Sequence, residues 1–197
     1  MFKSHQLKRG KFLLVHYSIN SKDRWGRIFP LARALAKQNF AVTLITSAYK
    51  GQKGFLFAID YLDDVKVVSF KDIIPVKILS KGVGLLSFVS RITYSLFHKF
   101  DYVYSDCGEA PNAGWPCKLN QWIYHSKYIS EWGDLIGRGG FYDSKPKWFK
   151  FLLGWYYLWA DLYFRSSADI VMVLSDYMRE YAEKRGILKK KIVVVPG

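Results

Sequence analysis

The chain has 197 residues, of which 50% are hydrophobic and 23% charged, a composition that is typical of a folded protein and excludes a disordered one. The formal net charge of +14 predicts attraction to something anionic, such as a membrane surface, a nucleic acid or a phosphorylated substrate. The two cysteines, Cys107 and Cys117, exclude a disulfide framework, and no Cys/His spacing suits zinc, so a reduced, cytoplasmic location is expected.

The N-terminal part of the sequence predicts a strand–helix–strand unit. The apolar run 12–16 predicts a buried parallel strand, and apolar residues recur with helical spacing from Ile28 to Leu35. Asn39 is expected to end that helix in a left-handed conformation. The run 41–46 predicts a second buried strand, so these elements form a βαβ unit.

The same alternation continues to the end of the chain. Seven strands alternating with helices predict a doubly wound, mostly parallel, Rossmann-like α/β sheet. The later predicted strands are 65–70, 102–105, 121–125, 170–174 and 192–195. The later predicted helices are the apolar stripe 85–96, a short helix at 110–119, and 147–165 and 176–184, the last capped by Ser175; loops are expected at 17–25, 50–54 and 126–144.

The chain stops directly after a predicted buried strand, at Pro196 and Gly197. Such an ending suits a hinge into a further domain. We therefore expect residues 1–197 to form one N-terminal domain whose C-terminal partner domain is missing. The alternative is a natural terminus.

Ligands of doubly wound sheets bind beyond the carboxyl ends of the strands. Candidate functional residues are therefore sought in 16–27, 106–109 and 125–134, and at Ser175. Topology alone gives these positions, and it does not indicate which reaction they would serve.

Four segments, in order, resemble the N-terminal domain of family-4 glycosyltransferases. The resemblance covers almost the whole chain. The strongest similarity is at the end, where Ala168-Asp-Ile-Val-Met-Val-Leu-Ser and Lys191-Ile-Val-Val-Val-Pro-Gly resemble the run that leads into the family's donor domain. The other similar segments are Arg27–Thr46, Phe100–Asp106 and Trp122–His125.

The resemblance implies a GT-B enzyme with two Rossmann-like domains and a cleft between them. This half would hold the acceptor, and the missing half would hold a nucleotide-sugar donor. By the same resemblance, we expect transfer with retention of anomeric configuration, no cofactor bound by this half, and no metal.

Three residues are predicted to contact the donor phosphates, namely Arg24, Gly26 and Arg27, because guanidinium groups at a helix N-terminus bind anions. The family's paired glycines correspond here to Lys22 and Asp23, which puts close backbone approach in doubt, although Gly26 supplies some freedom. The alternative for both arginines is solvated surface charge.

Two residues are predicted to be catalytic. His125 ends a predicted strand, where its imidazole would bond to the sugar or to the acceptor hydroxyl, and Asp106 would orient or deprotonate that hydroxyl. The alternatives are a half-buried structural histidine and a turn or capping aspartate. His16 also ends a strand, but only its position supports a role.

Four more residues are predicted to bind the acceptor: Glu109, Glu131, Trp132 and Asp134, with Trp132 stacking on a sugar ring. Ordinary loop packing is the alternative. Taken together, the turns that bear Arg27, Asp106 and His125 should converge along one rim of the sheet, and the sugar-transfer interpretation depends on that convergence.

Aromatic residues are dense between Lys145 and Arg165. With lysines at one end, this segment suits a membrane interface, and the alternative is a core helix over the sheet. The uncharged stretch 151–160 is too short to cross a bilayer. We expect peripheral contact with an anionic membrane and a lipid-linked or membrane-proximal acceptor; a basic, non-catalytic module for a partner protein or a nucleic acid is the alternative, although no nucleic-acid motif is present.

Overall fold

The computed structural model describes residues 9–19, 26–48, 56–71, 84–135, 137 and 139–196, which form eight strands and five α-helices. The strands are β1 (Lys11–Ile19), β2 (Ala41–Ser47), β3 (Phe57–Leu62), β4 (Val65–Phe70), β5 (Tyr102–Ser105), β6 (Lys127–Trp132), β7 (Ile170–Val173) and β8 (Ile192–Val194). The helices are α1 (Ile28–Lys37), α2 (Leu85–Phe97), α3 (Pro111–Tyr124), α4 (Lys147–Ser166) and α5 (Asp176–Lys184).

All eight strands join one sheet in the order β3-β4-β2-β1-β5-β6-β7-β8. Neighbouring strands are parallel throughout, except for β3 and β4, which are antiparallel. Asp63 and Asp64 join these two strands with φ values of 49° and 64°, the left-handed geometry that a two-residue hairpin turn requires. The predicted Rossmann-like, mostly parallel fold is confirmed.

Helices cover both faces of the sheet. On one face, named here the α1 face, Ile28 and Ala32 of α1 pack on alternate strand residues such as Leu14 and Leu44. On the other, named the α3 face, Leu13 and Val15 belong to the cluster that holds the buried side chains of α3 and α5. Because successive residues of a strand point to opposite faces, β1 is buried on both sides.

The strand predicted at 121–125 is wrong. Residues 111–124 form α3, and the strand of this region is β6, which begins only at Lys127. Trp122, Ile123 and Tyr124 favour strands by propensity, but all three lie in the last turn of α3. The Tyr124 hydroxyl donates to the Leu96 carbonyl of α2 at 2.6 Å.

One loop and one strand also differ from the sequence predictions. The loop expected at 126–144 is shortened by β6, and β3 was not predicted at all. Phe57 and Tyr61 of β3 are 51% and 74% exposed, so this edge strand lacks the buried apolar run by which the other strands were recognised. The expected loop at 17–25 begins after β1, and most of it, like the loop at 50–54, lies outside the described residues.

The helix predicted at 85–96 is present, but its apolar stripe does not form its buried side. Leu85 and Val89 are exposed, whereas Ser87, Arg91 and Ser95 are buried. The Arg91 guanidinium donates to the His16 carbonyl at 2.6 Å and to the Asn112 carbonyl at 3.0 Å, among other contacts. A polar network therefore fixes α2 beside the end of β1.

Local capping signals were predicted correctly. Asn39 has φ of 69° just after α1, and the Ser175 hydroxyl accepts from the Met178 amide at 3.2 Å at the start of α5. The long aromatic helix also forms, as α4. No helix in the described ranges is long and apolar enough to pass through a bilayer.

Candidate active site

The carboxyl ends of the central strands lie side by side, because β1, β5 and β6 are parallel and in register. Val15 lies opposite Ser105, and Ser105 lies opposite Ser130. Successive residues of a strand point to opposite faces, and Leu14, Tyr104 and Ile129 lie on the α1 face. The residues two positions further along the chain therefore lie on the α1 face as well. They are His16, Asp106 and Glu131, respectively.

His16 and Asp106 form a pair at this edge. The His16 Nδ1 atom contacts the Asp106 Oδ2 atom, and the other carboxylate oxygen accepts from the Tyr17 amide at 3.2 Å. His16 is 8% exposed, so the ring is held in a largely enclosed position. A catalytic role was predicted for Asp106, whereas His16 was noted only because it ends a strand. The pairing of this histidine with an aspartate 90 residues away is a tertiary feature.

Arg27 and Glu131 form a second pair on the same face. Arg27 lies at the start of α1, after Gly26 with φ of 50°, and its Nη2 atom contacts Glu131 Oε1. The Tyr104 hydroxyl donates to Glu131 Oε2. The Arg27 side chain is 44% exposed, and it does not cap the helix, so its guanidinium remains accessible at the positive end of α1.

The environment of Glu131 disfavours its charge. Burial raises the pKa of Glu131 above its ordinary value, to about 7, and the nearby Asp134 carboxylate adds to this effect. Asp134 itself follows β6 and is exposed. The Arg27 guanidinium, in contact with Glu131, favours the charged carboxylate and so opposes this rise of the pKa.

Glu109 and Trp132 do not line this edge. Both lie within the α3 side of the molecule, where Glu109 is 1% exposed and pairs with Arg165 at 2.8 Å. The Cys107 thiol donates to Glu109, and burial raises the pKa of that thiol well above its ordinary value. The Arg165 guanidinium lies over the Trp132 ring at 4.7 Å.

The acceptor-binding predictions for Glu109 and Trp132 are therefore corrected. A carboxylate that is buried against a guanidinium is a structural ion pair. An indole with no exposed surface has no face left for a sugar ring.

His125 lies at the wrong end of the sheet for the role predicted for it. It ends α3 in a left-handed conformation with φ of 57° and is exposed. It precedes β6, so it lies at the amino edge, near Lys127, which starts that strand opposite Tyr102. The error follows from the strand that was wrongly placed at 121–125.

The predicted convergence of three turns on one rim is thus wrong for His125, while Arg27 and Asp106 lie at the same edge and face. The sugar-transfer interpretation loses one of the three turns on which it depended. Arg24 lies outside the described residues.

Comparison with known proteins supports a glycosyltransferase-like domain independently of these site residues. The model of the family described as "Glycosyl transferase 4-like domain" matches residues 27–197. The chain is similar in structure to sucrose-phosphate synthase from Thermosynechococcus elongatus, with a TM-score of 0.63 and 13% identity over 95% of this chain and 48% of that one. It is also similar to Anabaena HepE, solved with UDP-glucose, with a TM-score of 0.55 and 12% identity over 95% of this chain and 43% of that one.

The chain spans less than half the length of these two solved chains. At such low identity the structural similarity shows the fold alone. No curated protein sequence matches the chain significantly.

Proposed function

The chain belongs to the glycosyl transferase 4-like domain family, and from that membership we propose that it is the acceptor-side half of a GT-B glycosyltransferase. A second domain would hold the nucleotide-sugar donor, and the two would meet across the carboxyl edge of this sheet. HepE was solved with UDP-glucose, which is a donor of the proposed class. The alternative of a non-catalytic binding module is not favoured by the family match.

One observation carries the proposal: a cation at a helix N-terminus and a histidine–carboxylate pair share one face of one sheet edge. Both kinds of group can serve sugar transfer from a nucleotide donor, the first at the leaving diphosphate and the second at the acceptor hydroxyl. The bond from the anomeric carbon to the diphosphate breaks, and the leaving phosphate oxygen takes its electron pair. The acceptor hydroxyl oxygen forms the new bond to the anomeric carbon, and its proton passes to a base, here the Nε2 atom of His16.

Arg27 suits the first requirement. Its partly exposed guanidinium, at the positive end of the α1 dipole, would stabilise the negative charge that develops on the diphosphate. Gly26 provides a turn without a side chain next to that position. No cofactor or metal is required of this half by the proposal, and both absences remain predictions.

The His16–Asp106 pair suits the second requirement. Asp106 engages Nδ1, which orients the ring and leaves Nε2 as the nitrogen that can bond to an acceptor hydroxyl. Asp134, exposed at the end of β6, is available for further acceptor hydroxyls. Retention of configuration and a lipid-linked or membrane-proximal acceptor are finer parts of the same proposal, the first from family resemblance and the second from the basic, aromatic character of the chain.

The test is turnover by an enzyme that joins this chain to its donor domain, measured as nucleoside diphosphate released from a panel of nucleotide sugars. We expect Arg27→Gln and Asp106→Asn each to lower kcat/KM by about tenfold or more, because each removes a charge at the reacting edge. His125→Asn is the matched control, since it alters a histidine at the opposite edge with a residue that tolerates φ of 57°.

Unchanged turnover in both Arg27→Gln and Asp106→Asn contradicts the assignment of the site. A robust rate from the 197 residues alone contradicts the need for a second domain. Salt-dependent binding of oligonucleotides that sugar acceptors do not affect supports the alternative module instead. The anomeric configuration of the product, measured by NMR, tests retention.

A further inference from the structure

The outward side of α4 is apolar, where a surface helix normally carries polar residues. Five large side chains follow the spacing i, i+3, i+4, i+7 and i+11, which places them on one side of a helix as a single stripe. Their exposed fractions are as follows: Trp148 55%, Phe151 86%, Leu152 58%, Trp155 70% and Trp159 42%. The opposite side of the helix is the one packed on the protein, where Gly154, Asp161 and Arg165 are buried.

The stripe continues onto the end of α3. Trp115 joins the two helices, with its ring centroid 6.3 Å from that of Trp159 and 6.0 Å from that of Trp122. Trp122 and Ile123 are 49% and 47% exposed. These two residues and the five of the α4 stripe are called the aromatic face below. A continuous apolar surface of this kind marks a contact site more often than an ordinary solvent boundary.

Only positive charge borders the aromatic face along the sequence of α4. Between Asp143 and Asp161 the chain contains Lys145, Lys147 and Lys150 and no acidic residue. Of these lysines Lys147 is exposed, which favours a partner with an anionic boundary, and the aromatic side chains favour one with an apolar interior.

We propose that the aromatic face docks on the surface of an anionic phospholipid bilayer. Indole rings with lysines beside them suit the region between acyl chains and headgroups, and the lysines attract negative lipid. The helix would lie in the plane of the membrane, since it is not apolar enough to cross it. A second copy of the chain fits less well, because a symmetric contact would bring identical lysine clusters together.

This docking leaves the candidate active site uncovered. The α4 helix packs on the α3 side of the sheet, through Phe164 against Trp115 at 5.3 Å, whereas His16 and Arg27 lie on the α1 face. The inference does not rest on the proposed sugar transfer. It would nevertheless hold that site close to a membrane-borne acceptor.

The experiment measures co-sedimentation of the full chain with vesicles of phosphatidylcholine alone or mixed with phosphatidylglycerol. We expect binding to the mixed vesicles that weakens as salt is added. The double variant Phe151→Ser/Trp155→Ser should weaken partitioning by about tenfold or more, because both side chains lose their apolar contact with lipid. Lys147→Gln should weaken binding to the anionic vesicles by about fivefold.

The matched control is Phe97→Ser, which removes a 78% exposed phenylalanine from α2, outside the aromatic face. It should bind as the unmodified chain does, and circular dichroism should show that all variants are folded. Equal vesicle binding by the double variant and the unmodified chain overturns the proposal. The absence of binding to anionic vesicles at low salt also overturns it. That holds whether the chain is then monomeric or forms a dimer that the double variant disrupts. No outcome depends on turnover, so the result is independent of the proposed function.

Discussion

Arg165→Met tests whether buried charge holds α4 in place. Arg165 is 1% exposed, and its guanidinium pairs with Glu109 at 2.8 Å and with Asp161 at 2.6 Å. It also covers the Trp132 ring. Methionine keeps much of the volume and the contact with that ring but removes the charge, so both buried carboxylates lose their main partner.

The expected loss is large because neither carboxylate can reach water. Glu109 and Asp161 are 1% and 0% exposed, and breaking a buried ion pair from one side costs about 3–5 kcal/mol. That is a large part of the 5–15 kcal/mol, roughly, by which a typical domain is stable. Arg33→Met breaks a matched pair on the surface, with Asp63 at 2.9 Å and both side chains about half exposed, and should cost about 0–1 kcal/mol.

The deficit should also depend on pH. Burial raises the pKa of Asp161, and Arg165 opposes that rise. In Arg165→Met the pKa in the folded state therefore moves further above its unfolded value. An acid with a raised pKa holds its proton longer in the folded state, so stability falls as pH rises from the unfolded pKa to the folded one. The variant should be closest to the unmodified chain in mild acid and furthest from it at neutral pH.

The assay is urea unfolding followed by circular dichroism at acidic and neutral pH, with free energies from linear extrapolation. Adding Glu109→Gln and Asp161→Asn to Arg165→Met removes both stranded charges and should recover part of the loss. If Arg165→Met costs no more than Arg33→Met at neutral pH, the buried network does not hold α4, and the reasoning is refuted.

Three further predictions concern single positions. Gly114→Ala should destabilise the protein by about 2 kcal/mol or more, although alanine normally favours a helix, because the new Cβ would lie 1.9 Å from the Gly108 carbonyl oxygen; thermal unfolding checks this, and a higher Tm contradicts it. Glu131→Gln should remove a fall in stability between about pH 4.5 and pH 7, because burial raises the pKa of Glu131 to about 7. The fall is worth at most about 3 kcal/mol, since the Arg27 guanidinium in contact with Glu131 opposes the rise, and parallel pH profiles of the two proteins would contradict the prediction. Ser175→Ala should cost about 1 kcal/mol through the lost bond to the Met178 amide, as measured by urea unfolding, and an unchanged midpoint would mean that the cap is not needed.

Local sequence determined most of the architecture. Buried apolar runs such as 12–16 and 41–46 have no other stable place than a covered parallel strand, and their alternation with helices leaves few topologies. Capping residues also act within a few positions, so Asn39 and Ser175 were predictable. The fold class and the sheet edge that bears Asp106 follow from such short-range signals.

Tertiary structure alone decided which polar residues meet. Residues 121–124 are helical, with the Tyr124 hydroxyl bonded to α2, and His125 therefore lies at the amino edge. The buried side of α2 is polar because Arg91 finds partners on other elements, which no apolar periodicity encodes.

The candidate site shows the same division. The sequence placed Asp106 and Glu131 after or near strand ends. It did not indicate on which face of the sheet they lie or with which residues they pair. His16 joins Asp106, and Arg27 joins Glu131, across long separations in the chain. Such pairing depends on strand order and register, because only strand order and register bring the ends of distant strands together. The formation of each strand, in contrast, follows from the hydrophobic residues of that strand itself, which gain free energy by burial.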